Sequence, residues 1–121
     1  MKEAIRVVLV DDQELYREGN ALLLDATDDI AVVGEAGTGE EALQTIAEAE
    51  PDIVLMDIRM PGMGGIDATR RIVSAHPDIR VIALTIFDLD EYAFGALDAG
   101  ASAFILKSSS PEALIRAVRI V

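Results

Sequence analysis

Cysteine is absent from this 121-residue chain, which excludes disulfides and thiolate metal sites and leaves the redox compartment open. Cations are scarce. Ten lysines and arginines stand against 22 aspartates and glutamates, a formal charge of −12. Affinity for nucleic acid comes largely from lysine and arginine neutralising phosphates, so this balance argues against direct DNA binding by the segment. The surplus negative charge is accounted for by solubility. Long apolar runs are missing too: the first, residues 4–10, is interrupted by Arg6, too short and too charged for a secretion signal or a membrane span. A cytoplasmic location and no membrane partner are the expectation. No repeat, low-complexity tract or linker divides the chain, and the length suits one domain with its own core.

What the sequence does contain is a series of short apolar runs, each ending on a polar residue. Ile5–Val10 stops at Asp11-Asp12, Ile53–Met56 at Asp57, Val81–Leu84 at Thr85, and Ala103–Leu106 at Lys107. A further strand is placed at Ala31–Val33. Runs of this length alternating with helical patterns read as buried strands of a parallel α/β sheet, whose ligand sites lie outside the carboxyl ends of the strands.

Five helical patterns separate and follow the strands. After Asp12, which is placed to cap a helix, Leu15, Gly19, Leu22, Leu23 and Ala26 recur at helical spacing and are expected to face inward. Thr38 with Glu41 forms a capping box, followed by an inner face of Ala42, Leu43, Ile46 and Ala47. The third pattern turns Ile66, Thr69, Ile72 and Val73 inward and closes at His76-Pro77. His76, the one histidine, reads there as a surface residue at the far end of the helix from the candidate site. The fourth turns Leu89, Ala93, Ala96 and Leu97 inward, with Gly95 weakening it and Gly100 as a left-handed cap. The fifth begins with Ser110 and Pro111 and buries Leu114, Ile115, Val118 and Val121. It has no stop signal before Val121, so a fragment of a longer protein is expected.

Each polar strand end has an ordinary explanation when taken alone. Asp12 serves as a cap, Asp57 opens the turn Arg59-Met60-Pro61-Gly62, Thr85 is a good strand former, and Lys107 snorkels. Together they gather three carboxylates, a hydroxyl and an amine in one crevice. Clustered carboxylates resist ionising unless positive charge sits among them. Lys107 supplies one charge, and the oxygen-only set suits a hard cation, most naturally Mg²⁺, which also grips phosphate oxygens. Such a site supports phosphoryl transfer to a carboxylate, with Asp57 as nucleophile and Asp11 and Asp12 holding the metal.

At these residues the chain resembles the receiver domain of two-component response regulators. The likeness spans the whole chain: Asp11-Asp12, then Asp57-Ile-Arg-Met-Pro-Gly-Met-Gly-Gly, then Thr85 and Lys107. The segments 84–92 and 99–107 are similar to the NarL/FixJ subfamily, whose members carry a LuxR-type helix-turn-helix DNA-binding domain after the receiver.

The resemblance implies a flavodoxin-like three-layer sandwich, a five-stranded parallel sheet of order 2-1-3-4-5 with five helices. It implies a receiver domain over 1–121, with the DNA-binding domain beyond residue 121. It further implies phosphorylation of Asp57 by a sensor histidine kinase, and Mg²⁺ held by Asp12, Asp57 and the Arg59 carbonyl, with Asp11 acting through water. Thr85 and Lys107 would engage the phosphoryl group, and Thr85 and Phe104 would form the switch that drives homodimerisation. A stand-alone receiver signalling by protein contact is the alternative. The pattern departs from the family at Phe104, where tyrosine is frequent, at the bulky Ile86, and at Ser108, where proline often brings a cis peptide. Arg59 and Phe87 are expected to shield the phosphoryl group from water. A phosphatase of this fold needs Asp-x-Asp where Asp11-Asp12-Gln13 stands, and a flavin module needs a Ser/Thr-Gly phosphate loop that the acidic run would repel.

Overall fold

The computed structural model describes residues 4–60, 62–86 and 91–121, the side chains of 91–93 excepted. Pro61, Phe87, Leu89 and the side chain of Ala93, all invoked above, lie outside the described residues. Strands and helices alternate: β1 (Ile5–Val10), α1 (Glu14–Asp25), β2 (Ile30–Ala36), α2 (Gly39–Ala49), β3 (Ile53–Asp57), α3 (Gly65–Ala75), β4 (Arg80–Thr85), α4 (Glu91–Asp98), β5 (Ala103–Leu106) and α5 (Pro111–Ile120). The strands form one sheet in the order β2-β1-β3-β4-β5, and every pairing is parallel. This is the expected order and fold.

Alternation along each strand feeds two separate cores. Val8, Val10, Val54, Met56, Val81 and Ala83 pack with Ala42 and Ile46 of α2, Ile72 of α3 and Ala96 of α4. Val7, Leu9, Leu55, Ile82 and Leu84 pack on the other face with Leu24 of α1 and Leu114 and Val118 of α5. β3 is buried at all five positions, which is why its sequence shows no polar alternation.

Local signals act largely as read. Thr38 Oγ1 accepts a bond from the Glu41 amide at 3.0 Å, although the Glu41 carboxylate reaches the amide of Gly37 rather than that of Thr38. Ser110 Oγ accepts from the Ala113 amide at 3.2 Å. Gly100, at φ +114°, ends α4 in a Schellman pair, its amide bonding Leu97 O and that of Ala101 bonding Ala96 O. A β-carbon on Gly95 would sit 3.0 Å from Ile66 Cδ1, so this glycine lets α4 approach α3. His76 is half-buried at the C-cap of α3, and no helix among the described residues is long and apolar enough to cross a membrane.

Four expectations are corrected. β2 is longer than Ala31–Val33 because it pairs with β1 as far as Val10–Ala36, with a register shift between Val7 and Val8. Helix α1 turns a different face inward: Leu15 and Leu22 are 87% and 76% exposed, Gly19 and Ala26 are exposed, and Leu24 is buried with Tyr16, Ala21 and Leu23 packed beside it. In α2 and α4 the helices bury narrower faces, leaving Ala47 and Leu97 exposed. Asp12 is not the cap of α1. The N-cap is Gln13, whose side chain makes no capping bond and instead accepts from Lys107 Nζ.

Candidate functional site

The crossover from β1 to β2 leaves on one side and the chain returns to β3 on the other, so the carboxyl ends of β1 and β3 flank the switch point of the sheet. Asp11 follows β1 and Asp57 ends β3, and both are buried. The chain uses one local device at both. Asp11 Oδ1 accepts from the amide of Gln13 at 2.9 Å, and Asp57 Oδ1 accepts from the amide of Arg59 at 3.1 Å. Each is a carboxylate bonding the backbone two residues on, a turn that aspartate favours. With both Oδ1 atoms engaged, both Oδ2 atoms face Lys107: its Nζ lies 2.9 Å from Asp11 Oδ2 and 3.3 Å from Asp57 Oδ2.

Backbone contacts outside the crevice lock these loops. The Asp11 amide bonds Ala36 O at the end of β2, and Arg17 Nη1 donates to Asp11 O at 2.7 Å while its Nε pairs with Glu35 at 3.1 Å. Across the sheet the Lys107 amide donates to Thr85 O at 2.8 Å, so β5 delivers the lysine directly from the end of β4. Thr85 is 1% exposed. Ile86 beside it is 54% exposed. Arg59 is exposed, and Phe104 is partly buried against the core shared by α2, α3 and α4. No described peptide bond is cis, so Ser108 follows Lys107 in the ordinary trans form.

The electrostatics follow from burial. The Asp57 carboxyl is pushed up from an ordinary 3.8 to about 7, first by desolvation and then by the charge of Asp11, with Lys107 and the Arg59 amide opposing. Burial works against the Lys107 ammonium, but its close pairing with Asp11 and the charge of Asp57 outweigh it, and the lysine is held above its usual value. One lysine therefore faces two buried carboxylates, with Asp12 exposed at the rim. Asp11, Asp12 and Asp57 each offer an oxygen, and these lie within 4.8 Å of one another. Asp11 Oδ2 is buried and accepts no hydrogen bond, although Lys107 is near enough for an ion pair. A hard divalent cation fits this set, supplying both the missing charge and a partner for that oxygen.

Sequence reasoning missed three contributors. Gln13 Oε1 accepts from Lys107 Nζ at 2.7 Å. The ring of Tyr16 lies 4.8 Å beneath the same ammonium. Gly65 opens α3 against the carbonyl of Asp57. None stands at a strand end, the signal that located the others. The paired glycines 64 and 65 were a visible cue for the last.

An acidic pocket with a lysine at the switch point of a 2-1-3-4-5 sheet defines a receiver-type signalling domain. Residues 7–119 match the response regulator receiver domain family, and the chain belongs to that family: it is the receiver domain of a two-component response regulator. It is 43% identical over 117 residues to the response regulator GacA of Pseudomonas viridiflava, covering 97% of this chain and 55% of that protein. It is 44% identical over 118 residues to the uncharacterized transcriptional regulatory protein YxjL of Bacillus subtilis, covering 98% and 54%. The chain thus spans about half the length of these curated relatives. The signal receiver domain of the putative response regulator NarL from Mycobacterium tuberculosis superposes with a TM-score of 0.91 at 37% identity, covering 98% of this chain and 95% of that one. A LuxR-family response regulator from Aurantimonas sp. superposes equally well at 39% identity, covering 98% and 84%.

Proposed function

We propose that this domain is a phosphorylation-controlled switch in which a partner histidine kinase transfers a phosphoryl group to Asp57. The observation that carries the reading is Lys107 bridging Asp11 and Asp57 at the switch point. A carboxylate oxygen of Asp57 attacks phosphorus, a P–O bond forms, and the P–N bond to the kinase imidazole breaks with its electron pair returning to nitrogen. Asp11, Asp12, Asp57 and the Arg59 carbonyl would hold Mg²⁺, which when bound supplies positive charge to the phosphoryl oxygens. Lys107 adds a second positive charge, and the Thr85 hydroxyl adds a donor. Mg²⁺, when bound, would add its charge to that of Lys107 in favouring the anionic form of Asp57 that attack requires.

Once formed, the acyl phosphate offers Thr85 a new partner, and Phe104 follows into the space that threonine leaves. A buried hydroxyl and a half-buried aromatic on neighbouring strands are the parts of a two-state element biased by charge. The output is homodimerisation and control of transcription through a LuxR-type DNA-binding domain beyond residue 121. The transcriptional regulators of about twice this length among its relatives support that assignment. The domain promotes only its own phosphorylation and dephosphorylation and acts in the cytoplasm.

Intact mass after incubation with acetyl phosphate and Mg²⁺ tests the reading. One added phosphoryl group is expected, dependent on Mg²⁺ and absent from Asp57→Asn. A folded protein that takes no label, or a variant labelled as well as the wild type, would contradict it.

A further inference from the structure

Lys107 is held by more than the two carboxylates. Three oxygens surround its ammonium, and the shortest contact is to the neutral amide of Gln13 at 2.7 Å, against 2.9 Å to Asp11 and 3.3 Å to Asp57. Beneath the ammonium lies the Tyr16 ring, 4.8 Å from centroid to Nζ. Its hydroxyl donates to Lys107 O at 3.4 Å, so one residue contacts both ends of the lysine. The lysine side chain is 11% exposed, although it sits at a rim where Asp12 and Gln13 are open to water.

We infer that Gln13 and Tyr16 are positioning residues that share the Lys107 ammonium with the two carboxylates and keep its pairing with Asp57 loose, ready to meet a phosphoryl oxygen. The inference rests on the phosphoryl reading of the site.

Left with only carboxylates, a buried ammonium would settle against them, since charge-assisted bonds are the strong ones. It would then have to break such a bond before turning to an incoming phosphoryl group. Gln13 supplies a neutral acceptor and the ring face a charge-stabilising surface without a competing charge. Both therefore loosen the hold of Asp57 on Nζ, the longest of its three contacts, without neutralising the ammonium. Both lie on α1 or its N-cap, 94 and 91 residues before the lysine.

Labelling rates with acetyl phosphate would be followed across a Mg²⁺ series in wild type, Gln13→Met, Tyr16→Leu and Tyr16→Phe. Gln13→Met keeps length and loses the acceptor, and Tyr16→Leu loses the ring. Each is expected to lower the saturating rate by about tenfold, the scale of one bond to a charged group. The Mg²⁺ concentration giving half the maximal rate is expected to stay within about twofold, because neither side chain belongs to the acidic set. Tyr16→Phe restores the ring and should recover most of the rate lost in Tyr16→Leu.

A merely disturbed β1–α1 loop would move the Mg²⁺ requirement along with the rate, and that result would overturn the assignment. So would unchanged rates in Gln13→Met and Tyr16→Leu, while a labelled wild type left the phosphoryl reading standing. A folded wild type that takes no label would overturn both.

Discussion

The β-carbon that Gly65 lacks would lie 2.2 Å from the carbonyl oxygen of Asp57 and 2.4 Å from the α-carbon of Ile58. Backbone cannot yield as a flexible side chain can, so α3 starts where it does only because residue 65 has no side chain. Gly65→Ala is therefore expected to destabilise by about 3 kcal/mol, the upper range for overpacking a tight site. Gly19, exposed in the middle of α1 with nothing within 4 Å of a built β-carbon, predicts the opposite sign. Gly19→Ala should stabilise by about 0.5–1 kcal/mol. Urea unfolding of the two variants beside the wild type checks both, and equal effects would refute the steric assignment.

Acidity at Asp57 makes stability depend on pH. Burial and the charge of Asp11 raise its folded value to about 7, so between an ordinary carboxylate value and 7 the folded protein keeps a proton that the unfolded chain has released. Stability must then fall as pH rises through that window, by at most about 1.4 kcal/mol per pH unit. Asp57→Asn removes the titrating group, and its stability at pH 8 is expected to exceed that of the wild type, with a flatter dependence between pH 4 and 7. Denaturation in EDTA at pH 5 and pH 8 measures it. Parallel slopes in the two proteins would show that the proton sits elsewhere.

Metal binding should act against the same repulsion. Mg²⁺ at a hundred times its dissociation constant is expected to stabilise the wild type by about 2.7 kcal/mol, by mass action alone. Chelation should remove the increment. Asp12→Ala, altering an exposed member of the acidic set, should lose most of it without losing the fold. Thermal melts with Mg²⁺ and with EDTA decide the matter.

Arg17 separates a structural ion pair from a surface one. Its side chain is 17% exposed, and it bonds both the Asp11 carbonyl and Glu35. Glu35→Gln weakens only the exposed partner and should cost under about 1 kcal/mol. Arg17→Ala removes the bond to Asp11 O as well and should cost about 2–3 kcal/mol, as for hydrogen bonds to charged groups. Urea titration of both variants tests the difference.

The way α1 was misread shows where sequence reasoning stops. Four of the strands, the caps at Thr38, Ser110 and Gly100, and the placing of five polar residues at strand ends obey local rules of alternation, capping and punctuation, and these were legible. The rotation of α1 is set by Tyr16 meeting Lys107, 91 residues away, and by Arg17 meeting Asp11 and Glu35. Periodicity selected Leu15 and Leu22 because they are apolar, but those positions face outward. The same long-range contacts hid Gln13 from view as a partner of the lysine. Asp12 looked like a helix cap because two adjacent aspartates compete to open the loop, and the bond that Asp11 makes two residues on goes with an N-cap at Gln13.

The paired turns at Asp11 and Asp57 divide the work between main chain and side chain. What aims each carboxylate is an amide, at Gln13 and Arg59, and every residue but proline has one. Positions 13 and 59 can thus change chemistry without disturbing the aim of the acids, and both stand at the rim of the crevice. On the phosphoryl reading proposed above, these two places can alter what surrounds the acids while the acids themselves stay aimed.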